Sequence, residues 1–173
     1  TITTTSQCYN PSRGTWAVEV LEALAIPTHI FGEVVQPGTI LGGLRRSVAR
    51  DLGCSPIPVV ASAGHDTASA VAAVPAEDED FIFLSSGTWS LLGTLVEVPV
   101  IDPQNLAHGL TNEGSANGKI RLLKNIMGMW LLQECRREWA NQGLSFGYDD
   151  LTRLAEASPP FRSLVLPNHP SFL

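Results

Sequence analysis

The spacing of apolar positions changes character part-way along the chain. In GTWAVEVLEAL, Val18, Leu21 and Leu24 recur at helical intervals after Thr15, a residue suited to capping a helix, and Pro27 stops the run. VVQPGTILGG reads as a loop carrying a type II turn at Pro37 and Gly38. LRRSVARDLG predicts a short amphipathic helix that ends at Gly53. IPVVASAG is a β-branched run, hence a strand, and TASAVAAV is a helix of small residues that Pro75 terminates.

After PAEDED, residues 75–80, where four acidic residues follow a proline, the period drops to two. FIFLSS and GTWSLLGTLVEV predict paired strands that turn at Ser86 and Gly87. GLTNEGSANGKIRLLKN predicts a second hairpin with Asn117 and Gly118 as a two-residue turn. A helical period then returns: Asn125 is expected to cap IMGMWLLQECRREW, closed by Gly143, and DDLTRLAEA makes a short last helix. No internal repeat appears. Strand–helix units before the acidic stretch and hairpins before helices after it indicate an α/β chain spanning the junction of two domains, 1–77 and 78–173, an arrangement in which ligands commonly bind between domains.

Composition narrows the function classes. With 44% hydrophobic residues in 173, the chain can hold a real core. A net charge of -6 with scattered Lys and Arg gives no electrostatic footprint for nucleic acid or anionic lipid. A phosphate-bearing substrate would have to be held by backbone N–H groups, a metal or residues elsewhere. Cys8, Cys54 and Cys135 are widely spaced and form no C-x-x-C, so they read as buried or free thiols of a reducing compartment rather than a disulfide framework or zinc site. No apolar run approaches the roughly 18 residues of a membrane span, and the expected location is cytoplasmic. A start at Thr1 and a final LVLPNHPSFL without a closing element suggest a piece of something longer.

The candidate chemistry centres on SAGHDTASA. Asp66 sits where a strand gives way to a helix, a position that a capping carboxylate fills and that a catalytic one can also fill. Polar neighbours on both sides, His65 and Thr67, are more than a cap needs. In SSGTWSLLG, Gly87 serves a hairpin turn, or lets successive N–H groups form an anion nest with the hydroxyls of Ser86 and Thr88. Asn125 is explained by capping alone. Gln133 lies inside an apolar stretch roughly 12 Å farther along the expected helix at ~1.5 Å per residue, where a polar group wants a partner, from ligand or core. Glu113 is either an exposed hairpin carboxylate or a contact for metal-bound water. His29, His108 and His169 are isolated loop residues, and the four tryptophans fit packing better than a stacking platform.

GHDTASAVAAVPA, SSGTWSLLG, TNEG and RLLKNIMGMWLLQECRREW, together with TTTSQCYNPSRGTW and PPFRSLV, resemble the FGGY family of carbohydrate kinases along nearly the whole chain. Within that family the likeness is to kinases of the ketose L-rhamnulose. It implies the ribonuclease H-like, actin/hexokinase-type two-domain fold, with the chain a central fragment across the junction. The first domain would bind sugar and carry the catalytic base, and the second would bind nucleotide. The implied reaction is phosphorylation of L-rhamnulose to L-rhamnulose 1-phosphate by ATP with Mg²⁺ in L-rhamnose catabolism, without nucleic acid or membrane partners. By position, Asp66 matches the catalytic base, His65 and Thr67 its sugar-contacting neighbours, Asn125 a sugar-site asparagine, Thr88 and Gly87 the phosphate-meeting turn, and Gln133 a nucleotide-contacting glutamine. A weak base that chiefly orients the hydroxyl suffices in phosphoryl transfer, so a carboxylate at a helix N-terminus suits the role. Another ketose or polyol kinase of the family, of the xylulose or fuculose type, and a non-catalytic sugar- or nucleotide-binding regulator are the alternatives. The family's upstream phosphate hairpin and downstream adenine segment are not in the sequence, so the isolated chain is expected to be inactive.

Overall fold

A computed structural model describes residues 2–78 and 80–172. Thr1, Glu79 and Leu173, which belong to the opening stretch, the acidic linker and the closing loop of the sequence reading, lie outside the described residues. Two compact units emerge: one runs to Ser85 and resumes over Leu92–Lys124, the other holds Ser86–Leu91 and the chain from Asn125 onward.

The first unit begins with α1 (Ile2–Thr5) and a short antiparallel ribbon, β1 (Tyr9–Asn10) with β2 (Thr15–Trp16). Thr15 is therefore a strand residue and not a cap. The Trp16 indole donates from Nε1 to the Gly32 carbonyl at 2.8 Å and lies 4.6 Å from the Phe31 ring, which holds this segment extended. Helix α2 (Val18–Ala23) starts after Ala17 with no side-chain cap, and Leu21, 1% exposed, anchors it. The expected loop at 34–43 contains a strand, β3 (Ile40–Gly43), that pairs antiparallel with β4 (Pro58–Val60). Cross-strand pairing, including Ile40 with Val60, overrides the glycine-rich local sequence. Between them α3 (Arg46–Asp51) ends before Gly53 as the pattern predicts. Helix α4 (Asp66–Ala72) follows β4 and buries Thr67, Ala68 and Val71.

Four strands form the main sheet in the order β5-β6-β8-β7: β5 (Ile82–Ser86), β6 (Trp89–Val96), β7 (Leu110–Gly114) and β8 (Ile120–Met127). Helix α5 (Pro103–Ala107) precedes β7, its first turn capped by the Asp102 carboxylate, which accepts the Asn105 N–H at 2.8 Å. At Gly93 a Cβ would stand 2.5 Å from the Leu122 carbonyl oxygen, so the β6–β8 approach requires glycine there. Phe83, Ile120 and Leu123 are buried from this sheet.

The second hairpin forms where the pattern places it, but with a different turn. Glu113 pairs with Arg121 and Gly114 with Ile120, and the Ser115 N–H donates to the Lys119 carbonyl, leaving Ala116, Asn117 and Gly118 as a three-residue loop. Gly118 takes the left-handed conformation, φ 83°, that such loops place on glycine. The two-residue turn of the sequence reading would have set Glu113 opposite Leu122 instead.

In the second unit the end of β8 leads to α6 (Trp130–Asn141) and α7 (Tyr148–Ala157). Asn125 lies in β8 and is exposed, and the helix starts after Met129, so Asn125 caps nothing. Its carbonyl accepts the Asn168 Nδ2–H at 2.9 Å while Asn168 Oδ1 accepts the Met127 N–H at 2.9 Å. That side-chain amide continues the hydrogen-bond pattern along a stretch beyond Lys124, the last β8 residue in register with β7. Helix α6 closes before Gly143, as predicted, and Arg136 stacks 4.1 Å above the Tyr148 ring at the start of α7.

Candidate functional site

The strand-to-helix junction builds a charged cluster within the first unit. A five-residue loop after β4 delivers His65 as the residue before α4 and Asp66 as its first residue. The Asp66 side chain is 95% exposed, so the carboxylate is open to a ligand and not sealed in a core. Its Oδ1 accepts the Thr67 N–H at 2.7 Å, with the Thr67 hydroxyl 3.5 Å away, and these contacts fix the carboxylate's orientation. Thr67 itself is buried, 8% exposed, so its hydroxyl acts beside Asp66 from within the packed face of α4.

Behind His65 stands a buried ion pair across the β7–β8 hairpin. Arg121 is 0% exposed; its Nη2 donates to Glu113 Oε2 at 2.9 Å and its Nε to the Gly114 carbonyl at 3.2 Å. The same Nη2 lies 3.1 Å from His65 Nδ1, and His65 Nε2 lies 3.3 Å from Asp66 Oδ1. Burial pushes the Arg121 guanidinium below its ordinary range, while the charges of Glu113 and then Asp66 pull it back. Among the described residues Arg121 Nη1 has no hydrogen-bond partner, so the pair carries a real desolvation cost. Glu113 is thus a buried carboxylate paired through Oε2 with Arg121, and not an exposed one.

The remaining sequence candidates lie in the second unit. Gly87 and Thr88 form the exposed β5–β6 turn. The Gly87 N–H donates to the Trp89 carbonyl at 2.9 Å, which removes that amide from the nest expected of successive N–H groups. The turn is tied to the start of α6: Gly128 N–H and Trp130 N–H donate to the Thr88 carbonyl, and Met129 N–H donates to Gly87, at 2.9–3.3 Å. Gly128 has no room for a side chain, since a Cβ would stand 2.5 Å from the Gly87 carbonyl oxygen and 2.6 Å from Ser90 Oγ. Gln133 is exposed on α6, so water satisfies it and no buried partner is required. Sequence reasoning missed Arg121 and Gly128. A Glu113–Arg121 pairing follows from the hairpin once its loop is counted as three residues; nothing local marks Gly128.

The model of the FGGY family of carbohydrate kinases, N-terminal domain, matches residues 1–73, and that of the C-terminal domain matches residues 82–173. The chain belongs to the FGGY family. Relatives include a protein named rhamnulokinase from Bacteroides thetaiotaomicron, 46% identical over 172 residues, which cover 99% of this chain and 35% of that protein. Another rhamnulokinase, from Enterococcus faecalis, is 40% identical over 98% of this chain and 34% of its own length. This FGGY chain therefore spans about a third of the length of the relatives it matches. Among solved structures, a ligand-bound xylulose kinase from Lactobacillus acidophilus superimposes with a TM-score of 0.65 over 88% of this chain and 30% of that one, at 23% identity. The fold is that of FGGY sugar kinases, of the actin/hexokinase type.

Proposed function

We propose that the protein to which this FGGY chain belongs phosphorylates L-rhamnulose to L-rhamnulose 1-phosphate with ATP, and that Asp66 is its general base. The observation that carries the proposal is the open carboxylate of Asp66, 95% exposed and oriented by Thr67, in a chain 46% identical to a named rhamnulokinase. Asp66 takes the proton of the attacking sugar hydroxyl as that oxygen forms its bond to the γ-phosphorus and the bond to ADP breaks. In a loose transition state proton loss lags behind bond cleavage, so orientation by the carboxylate counts for more than basicity. His65 and Thr67 contact the sugar in this reading, with His65 presenting a ring nitrogen beside the base.

Thr88, Gly87 and Gln133 serve the nucleotide, with the Thr88 hydroxyl and the glycine-lined turn meeting the phosphates. No cluster of three His, Cys, Asp or Glu side chains that could hold a metal occurs among the described residues. Mg²⁺ in kinases binds substrate phosphates and water with few protein ligands, and in this reading it would come with the nucleotide. The Thr88 hydroxyl is the oxygen that would sit beside it, and the ion would neutralise charge on the phosphate oxygens. None of the helices among the described residues is long and apolar enough to cross a membrane.

A coupled assay on the full-length protein tests this reading. Wild type should consume ATP in the presence of L-rhamnulose in preference to xylulose or fuculose. Asp66→Asn should lose about 10²–10⁴-fold in turnover, the range for removal of a positioned general base, while still binding sugar. Undiminished turnover by Asp66→Asn would remove the assignment.

A further inference from the structure

Arg121 is more than a structural partner of Glu113, because a single guanidinium nitrogen faces both the carboxylate and an imidazole. Guanidinium N–H groups only donate. At 3.1 Å from Arg121 Nη2, His65 Nδ1 must present its lone pair, whereas Glu113 Oε2, 3.6 Å from the same Nδ1, is too far to accept a proton from it. A neutral imidazole carries one proton, so with Nδ1 accepting, that proton resides on Nε2. Nε2 faces Asp66 Oδ1 at 3.3 Å.

We infer that Glu113 and Arg121 are positioning residues that hold His65 as its neutral Nε2–H tautomer, with Nε2 3.3 Å from Asp66 Oδ1. Glu113 Oε2 and the Gly114 carbonyl fix the guanidinium, the guanidinium fixes Nδ1, and the ring proton is left on Nε2, 3.3 Å from Oδ1. Oδ1 accepts the Thr67 amide N–H, which leaves Oδ2 as the oxygen to accept from a sugar hydroxyl. A second proton on His65 would bring an N–H against Arg121 Nη2, cation facing cation at hydrogen-bond distance. The charged groups around the imidazole are Asp66 from α4, Glu113 from β7 and Arg121 from β8.

The kinetic part of this inference rests on Asp66 serving as base, as proposed above; the tautomer does not. Nitrogen-15 NMR of histidine-labelled full-length protein at neutral pH reads the ring directly. The expected His65 signature is an unprotonated, pyridine-type Nδ1 and a protonated, pyrrole-type Nε2, assigned by comparison with His65→Gln. A protonated Nδ1 would overturn the inference whatever the protein's activity. In the second arm, full-length Glu113→Gln, which leaves Arg121 without its counter-charge, should lower kcat at least about tenfold with little change in the KM for ATP, and His65 should populate both tautomers. Wild-type kcat with a folded Glu113→Gln chain would equally overturn it. If Glu113→Gln does not fold, the wild-type spectrum decides alone. Failure of wild type to phosphorylate L-rhamnulose would sink the proposed function and leave the tautomer result standing.

Discussion

Arg121 and Glu113 show how one pair of residues can be costly and still be placed where it is. Removing one partner strands a charge: full-length Glu113→Leu should destabilise by about 3–5 kcal/mol, since Arg121, with 0% exposure, cannot reach water. Replacing both, Glu113→Leu with Arg121→Met, should recover most of that loss in urea denaturation, because an apolar pair need not be desolvated. A double variant as unstable as the single one would count against this account. The sequence alone made His65, Asp66 and Thr67 legible, because an apolar β-branched run followed by small helix formers is a local signal. Arg121 was not legible, because its role depends on register. Read with a two-residue turn, the hairpin sends Glu113 to Leu122, and a one-residue slip turns a buried ion pair into an exposed carboxylate.

At the level of elements, two glycines decide how strands and helix meet. Gly93 lies against the Leu122 carbonyl and Gly128 against the Gly87 carbonyl, each leaving only 2.5 Å for an added Cβ. Gly93→Ala and Gly128→Ala should each lower stability by about 1–3 kcal/mol, the range for overpacking, through backbone that cannot yield as a flexible side chain would. Thermal melts of the two variants in the full-length protein check this, and an unchanged melting temperature for either would contradict the close approach. Glycine sites of this kind are invisible to periodicity, since the clash is with another segment of chain. The misplaced helix starts have a related cause. Thr15 and Asn125 are good capping residues by type, yet each is drawn into a strand, Thr15 by pairing with Asn10 and Asn125 as part of β8. By contrast, the ends of α3 and α6 were legible because each falls just before a glycine.

For the whole molecule, the apolar surface sets the expectation. On β5, Phe83 is buried while Ile82 and Leu84, on the alternate face, are 76% and 60% exposed. Together with Ala70, Val71 and Val74 they line an apolar groove within the first unit. Contiguous apolar surface of this sort drives association in water. The 173 residues expressed alone should therefore self-associate in light scattering at micromolar concentration, and should give no turnover of L-rhamnulose in the coupled assay. A monodisperse, active fragment would refute both expectations. Within the second unit, three backbone hydrogen bonds join the Gly87–Thr88 turn to the first residues of α6, the helix that bears Gln133. Turn and helix therefore cannot shift separately without breaking peptide contacts. A push on the Thr88 tip must arrive at Gln133 as displacement of the entire rod, so the two residues report the same mechanical event.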